Sequence, residues 1–133
     1  MPELSVTFAG NKKVQAEYKG QRILTDQPKE AGGDGSGPTP FVLFLASLGT
    51  CAGYYVLGFC QARGLSTEGI RLTQRFDFDP EDRTLSKVAI DIHVPQSFPA
   101  KYHEALIRAA EACAVKKAIQ AQPLFEVKTV VSE

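Results

Sequence analysis

The chain of 133 residues has no excess of charge of either sign: fifteen lysines and arginines stand against fifteen aspartates and glutamates. A nucleic-acid binder that works by neutralising phosphates needs a basic surplus, and no basic cluster interleaved with aromatics is present. The first residues, MPELSVTFAGNKK, lack a basic stretch followed by an apolar one, so they do not read as a signal peptide, and a cytoplasmic setting is the expectation. Cysteine is scarce. Three residues, an odd number at wide spacing, do not make a secreted disulfide framework. No CxxC, HExxH or histidine-rich tract occurs, which argues against structural zinc and leaves no metal or other cofactor to expect. Internal repeats, low-complexity tracts and an alternating βαβ pattern are also missing. The length suits one domain, residues 1–133, with a core of its own.

What is present is a long apolar run. Phe41 to Cys60 is twenty residues without a charge, nominally enough to cross a bilayer. Gly49, Gly53, Gly58, Ser47 and Thr50 interrupt it and no positive cluster flanks it. A helix apolar on all sides also suits the centre of a soluble core, and that reading is preferred, with no membrane as partner. Thr39 before Pro40 supplies an N-cap hydroxyl and a proline at the first helical position. The helix is predicted to run to about Arg63, with Gly64 as its left-handed stop.

Before it, LSVTFAG, KVQAEY and RILTD read as strands, the last two joined through Gly20. The glycine- and proline-rich stretch Gln27–Pro40 is a loop, long enough to raise the question of function. After the helix, IRLTQRFDFDP and LSKVAIDIHV form a predicted half-buried hairpin, with Gln74 the polar exception on the face of Ile70, Leu72, Phe76 and Phe78. SFPAKYHEALIRAAEACAVKKAIQAQ reads as one second helix, and LFEVKTVV as a closing strand. The order β-β-β-α-β-β-α-β makes the fold class α+β.

Cys51 and Cys60 lie nine positions apart on the first helix. That is about 13.5 Å and about half a turn, so they can neither bridge nor share a metal ion. Cys60 is expected to pack as a small hydrophobe. Cys51 sits among Ser47, Gly49, Thr50, Ala52 and Gly53, and Cys113 has a similar small-residue frame, AAEACAVKKA. Two such helices could pack with the thiols together, and a thiolate that attacks a peroxide can condense with a second thiol. Core packing explains the same residues, and spacing does not decide between the two. His93 and His103 read as ordinary strand and helix residues, neither placed to pair with a cysteine.

GGDGSGPTPFVLFLASLGTC resembles the helix-entry motif of the OsmC/Ohr family, the osmotically inducible and organic hydroperoxide resistance proteins. Pro40 and Cys51 have that family's separation of eleven residues. CAVKK from Cys113 resembles the stretch that opens with its second cysteine, and GLSTEGIRL its link into a strand pair. The resemblance runs in order over nearly the whole chain. It implies an intertwined homodimer in which two central cysteine-bearing helices are wrapped by antiparallel strands from both chains. It implies a thiol-dependent peroxidase of the oxidative stress response, with Cys51 peroxidatic and Cys113 resolving, an organic hydroperoxide as substrate and a thiol reductant to reopen the disulfide.

Two departures from the family pattern stand out. Active members carry a glutamate on the first turn or two of the first helix, where this chain has Phe41 and Val42. The family arginine that steadies the thiolate lies before that helix, and the stretch from Gln21 to Pro40 offers only Arg22 and Lys29 as cations. Phe41, Phe44, Tyr54 and Tyr55 are candidates for an apolar substrate pocket, although aromatics on a buried helix also simply pack. A non-catalytic binder of a small apolar ligand, and a plain dimeric domain with structural cysteines, are the competing readings.

Overall fold

The computed structural model describes residues 2–132. Eight regular elements follow one another: β1 Ser5–Phe8, β2 Val14–Tyr18, β3 Gln21–Thr25, α1 Pro40–Ala62, β4 Arg71–Phe78, β5 Leu85–His93, α2 His103–Glu111 and α3 Ala114–Gln120. The α+β class is as the sequence indicates. Contacts group the chain into two units that divide between Ser47 and Leu48, within α1.

In the first unit β1, β2 and β3 form an antiparallel sheet in that order. The β2–β3 turn is two residues long, with Tyr18 opposite Gln21. Lys19 and Gly20 both take positive φ, 49° and 80°. Two consecutive left-handed residues give the turn the twist a tight hairpin needs. The glycine-rich loop that follows is bound down at several points. Asp26, with no exposed surface, accepts from its neighbour Gln27 N–H at 2.7 Å, from Ser36 N–H at 3.0 Å and from the Ser36 hydroxyl at 2.7 Å. Its own N–H donates to Pro38 O at 3.0 Å. Asn11 and Lys13, on the β1–β2 turn and its exit, both bind the Asp34 carboxylate. Gly33 is obligatory, because a Cβ there would lie 2.0 Å from Gln27 O. The loop delivers the chain to Thr39, whose Oγ1 accepts from Val42 N–H at 3.2 Å and caps α1 as the sequence predicts.

In the second unit α1 ends in a Schellman motif: Leu65 N–H donates to Cys60 O at 2.9 Å, Gly64 N–H to Gln61 O at 3.3 Å, and Gly64 has φ 64°. Arg63 donates to Phe59 O at 3.2 Å and lays its guanidinium 3.6 Å from the Phe59 ring centroid. The core gathers Val56, Phe59 and Cys60 of α1 with Phe98 and Leu106, and Leu72 and Ile92 of the β4–β5 hairpin, with Ile70 just before β4, pack against it. Gln74 breaks the apolar pattern of β4 for a steric reason. Its amide fills the space that Gly49 leaves, where a Cβ would come 2.0 Å from Gln74 Oε1.

Two expectations fail here. The second helix is not continuous: a 3-10 turn, Ala100–Tyr102, leads into α2, and Ala112–Cys113 separate α2 from α3. Cys113 has φ −50° and ψ 119°, outside the helical well, and acts as the N-cap of α3. The closing strand is absent as well. Residues 121–132 carry no regular strand in the described structure, and Leu124, Phe125, Val127 and Val131 are almost wholly exposed. The alternation suits a strand, but no ladder among the described residues takes it.

Candidate functional site

Cys51 lies on α1 and is half-buried; Cys113, at the start of α3, keeps 2% of its surface. Both are free thiols, as is Cys60. The break between α2 and α3 turns the Cys113 side chain back over the first turn of α3, where Sγ accepts from Lys116 N–H at 3.4 Å. The same turn faces the other cysteine. The Cys51 thiol lies below its ordinary range, first because the peptide N–H of Val115 hydrogen-bonds to its charged form, then because the Cys113 thiol does so. Burial opposes the shift, and the Ala114 N–H adds to it. The two cysteines singled out in the sequence are thus brought together, with a thiolate-favouring environment around Cys51.

Peptide groups and a thiol supply that environment. Arg22 sits on β3, mostly exposed, with Nε 3.8 Å from Glu17 Oε2. Lys29 begins a short 3-10 turn in the glycine-rich loop. The donors at α3 were not legible in the sequence, because the segment reads as helix straight through Cys113. The only available hint was that CAVKK could begin a helix instead of continuing one.

Cys60 has no exposed surface, and burial pushes its thiol up against a smaller opposing effect of Arg63. A thiol held protonated in a core is a poor nucleophile. The histidines are engaged elsewhere: His93 shares a 2.9 Å hydrogen bond with Thr73, and His103 stacks on Phe98 at 5.9 Å between ring centroids. Among the described residues no group of three or more His, Cys, Asp or Glu could hold a metal ion.

Of the aromatic candidates, Phe41 and Phe44 form a tilted pair at 5.8 Å, and Tyr54 and Tyr55 an edge-to-face pair at 5.5 Å. Phe41 and Tyr54 are exposed. A cavity of about 470 Å³ in the second unit is lined by Leu65, Glu68, Gly69, Pro95, Phe98 and their neighbours, and none of the four aromatics borders it. The first turn of α1 holds no acidic residue.

The family model described as OsmC-like protein matches residues 33–128. No curated protein sequence matches the chain significantly. Among solved structures, a Psychrobacter arcticus protein named for osmotic stress induction and detoxification response is similar at 23% identity and a TM-score of 0.73, over 89% of this chain and 88% of that one. An OsmC-like protein from Mycoplasma pneumoniae is similar at 13% identity and a TM-score of 0.68, over 92% and 89%. The organic hydroperoxide resistance protein OhrB of Bacillus subtilis is similar at 19% identity and a TM-score of 0.51, over 90% and 92%. At these identities the likeness is one of fold.

Proposed function

Because this chain belongs to the OsmC-like protein family, we propose that it is a thiol-dependent peroxidase that reduces organic hydroperoxides through Cys51 and Cys113. The observation that carries the reading is the environment of Cys51, where peptide N–H groups of α3 and the Cys113 thiol favour its thiolate. The Cys51 thiolate attacks the terminal peroxide oxygen. The O–O bond breaks, and the alkoxide leaves and takes a proton, giving an alcohol and a sulfenic acid on Cys51. Cys113 then attacks the Cys51 sulfur, hydroxide leaves as water, and a disulfide closes. A small or protein dithiol reduces it and restores both thiols. No cofactor enters the cycle. Fold relatives named as organic hydroperoxide resistance proteins support the substrate class.

The working unit is a homodimer in this reading. α1 is long and apolar enough to cross a membrane, yet one side of it builds the core of the second unit. Only 22% of its most apolar stretch is buried within the chain, so a second copy covers the rest in place of lipid. The protein then works in the cytoplasm, with neither membrane nor nucleic acid as partner.

A second reading rests on the helix entry. Phe41 and Val42 stand where active members carry their glutamate, and no acid lies on that turn. An OsmC-fold protein that holds a small apolar ligand without turnover fits that feature. One experiment separates the two. Free thiols are counted before and after one equivalent of cumene hydroperoxide, and any disulfide is mapped. Prompt loss of two thiols with a Cys51–Cys113 bridge is expected. Survival of both thiols, or prior reaction of Cys60, would overturn the peroxidase in favour of the binder.

A further inference from the structure

The sulfurs of Cys51 and Cys113 hold more than a reactive pair. A helix leaves its first N–H groups without intrahelical partners, and something else must accept them. In α3 one acceptor is the sulfur of its own N-cap: Lys116 N–H donates to Cys113 Sγ at 3.4 Å. The N–H groups of Val115 and Ala114 favour the charged form of Cys51. α3 has little else to hold it. It is seven residues long and contains no buried residue. A helix of that length is marginal on its own, so its first turn decides whether it persists.

We propose that α3 is a redox-responsive element, capped by the reduced cysteines and released when the Cys51–Cys113 disulfide closes. The chemistry of the acceptors gives the reason. A thiolate is a charged acceptor and a thiol a weak one, and a disulfide sulfur is neutral and poorer still. Bond formation also draws the two sulfurs to about 2.05 Å from one another. Cys113 Sγ must move toward Cys51, and so away from the Lys116 N–H it now caps. The first turn of α3 thus loses the acceptor of Lys116 N–H, and the negative charge that the Val115 and Ala114 N–H groups favour, in a single covalent event. The chain beyond α3 includes the exposed apolar segment at Leu124–Val131.

The inference rests on the cysteine pairing of the proposed function but not on peroxide as oxidant, and the experiment uses that difference. Diamide serves as oxidant. The Cys51 thiolate adds to its N=N bond, Cys113 attacks the Cys51 sulfur, and the hydrazine leaves with the electrons and takes up the protons. Hydrogen exchange is followed on the full chain, reduced and diamide-oxidised, with the disulfide mapped. Amides of residues 114–120 are expected to exchange about tenfold faster after oxidation, with the core of α1, β4 and β5 unchanged.

Two variants make the test specific. Cys113→Ser keeps a good capping oxygen and cannot form the bridge, so its α3 stays protected and does not respond to diamide. Cys113→Ala removes the cap, so its α3 exchanges fast even in reductant. Equal protection of α3 in both redox states overturns the proposal, as does a loss of protection spread over the whole chain, or failure of diamide to join Cys51 to Cys113. If diamide releases α3 but cumene hydroperoxide leaves both thiols intact, the peroxidase reading falls and the switch stands.

Discussion

Asp26 is a charged side chain with no exposed surface, and the hydrogen bonds its carboxylate accepts come from its own loop. The Ser36 hydroxyl and the N–H groups of Ser36 and Gln27 hold its carboxyl down to about 2. The folded state therefore favours the carboxylate more than the unfolded chain does. The stability this contributes is complete above the ordinary carboxylate range near 4, and it drains away as the pH falls toward 2. Asp26→Asn offers an N–H₂ where an acceptor is required, and thermal melts are expected to show a midpoint lower by roughly 5 °C at pH 7. The acid limb of the melting curve should flatten, and an unchanged limb would mean that Asp26 does not govern it. The same sign logic applies to Cys51. Its rate of alkylation by iodoacetamide should rise with pH through a midpoint below that of an ordinary thiol, and Cys113→Ala should move the midpoint upward by removing one of the groups that favour the thiolate. Rate profiles of the two proteins that coincide would show that the thiols are not coupled.

The elements divide into those set by local chemistry and those set by contacts distant in sequence. α1 belongs to the first kind. Thr39→Ala removes the hydroxyl that accepts Val42 N–H and should cost about 1 kcal/mol in denaturant unfolding, while Thr39→Ser should cost much less. Proline at the first position and glycine after the last complete signals that a sequence states openly, which is why both ends of α1 were legible to within a residue. The tight turn at Gly20 and the hairpin of β4 and β5 were legible for the same reason. The break at Cys113 was not. No proline or glycine marks it, and cysteine is not a usual N-cap. There Cys113 leaves the helical well and its sulfur accepts Lys116 N–H, and nothing local encodes that. The tail failed in the opposite way. LFEVKTVV has the alternation of a strand, but a strand needs a ladder, and pattern alone does not tell whether the ladder lies in the same chain. For the candidate site, the small-residue frames and the family resemblance were what singled out Cys51 and Cys113. The peptide donors of α3 were hidden with the helix break, and the cations Arg22 and Lys29 are the thiolate-stabilising candidates the sequence offers.

At the level of the whole molecule, apolar surface is the quantity out of balance. Val6 and Phe8 on β1, Tyr54 and Leu57 on α1, Phe76 and Phe78 on β4, and Leu124 through Val131 are all exposed in the single chain. Scattered single exposures would need no explanation, but whole elements that present large apolar side chains are what the proposed dimer would cover. A two-stranded sheet such as β4–β5 is also marginal alone, and an unclaimed strand-like tail is what a neighbouring sheet edge can use. The proposed dimer answers both, with a second copy whose α1 and tail meet those of the first. Light scattering on the eluting protein at micromolar concentration is expected to give twice the mass of the chain. The double variant Tyr54→Asp, Leu57→Asp places two charges on the outward side of α1, away from Val56, Phe59 and Cys60, and should convert the dimer to monomer or to aggregate while the wild type stays soluble. A wild-type monomer would remove the dimer from the proposed function. Recovery of the wild type only with membranes would assign the exposed side of α1 to lipid, and the charge-free run from Phe41 to Cys60 would then have to be read as a span.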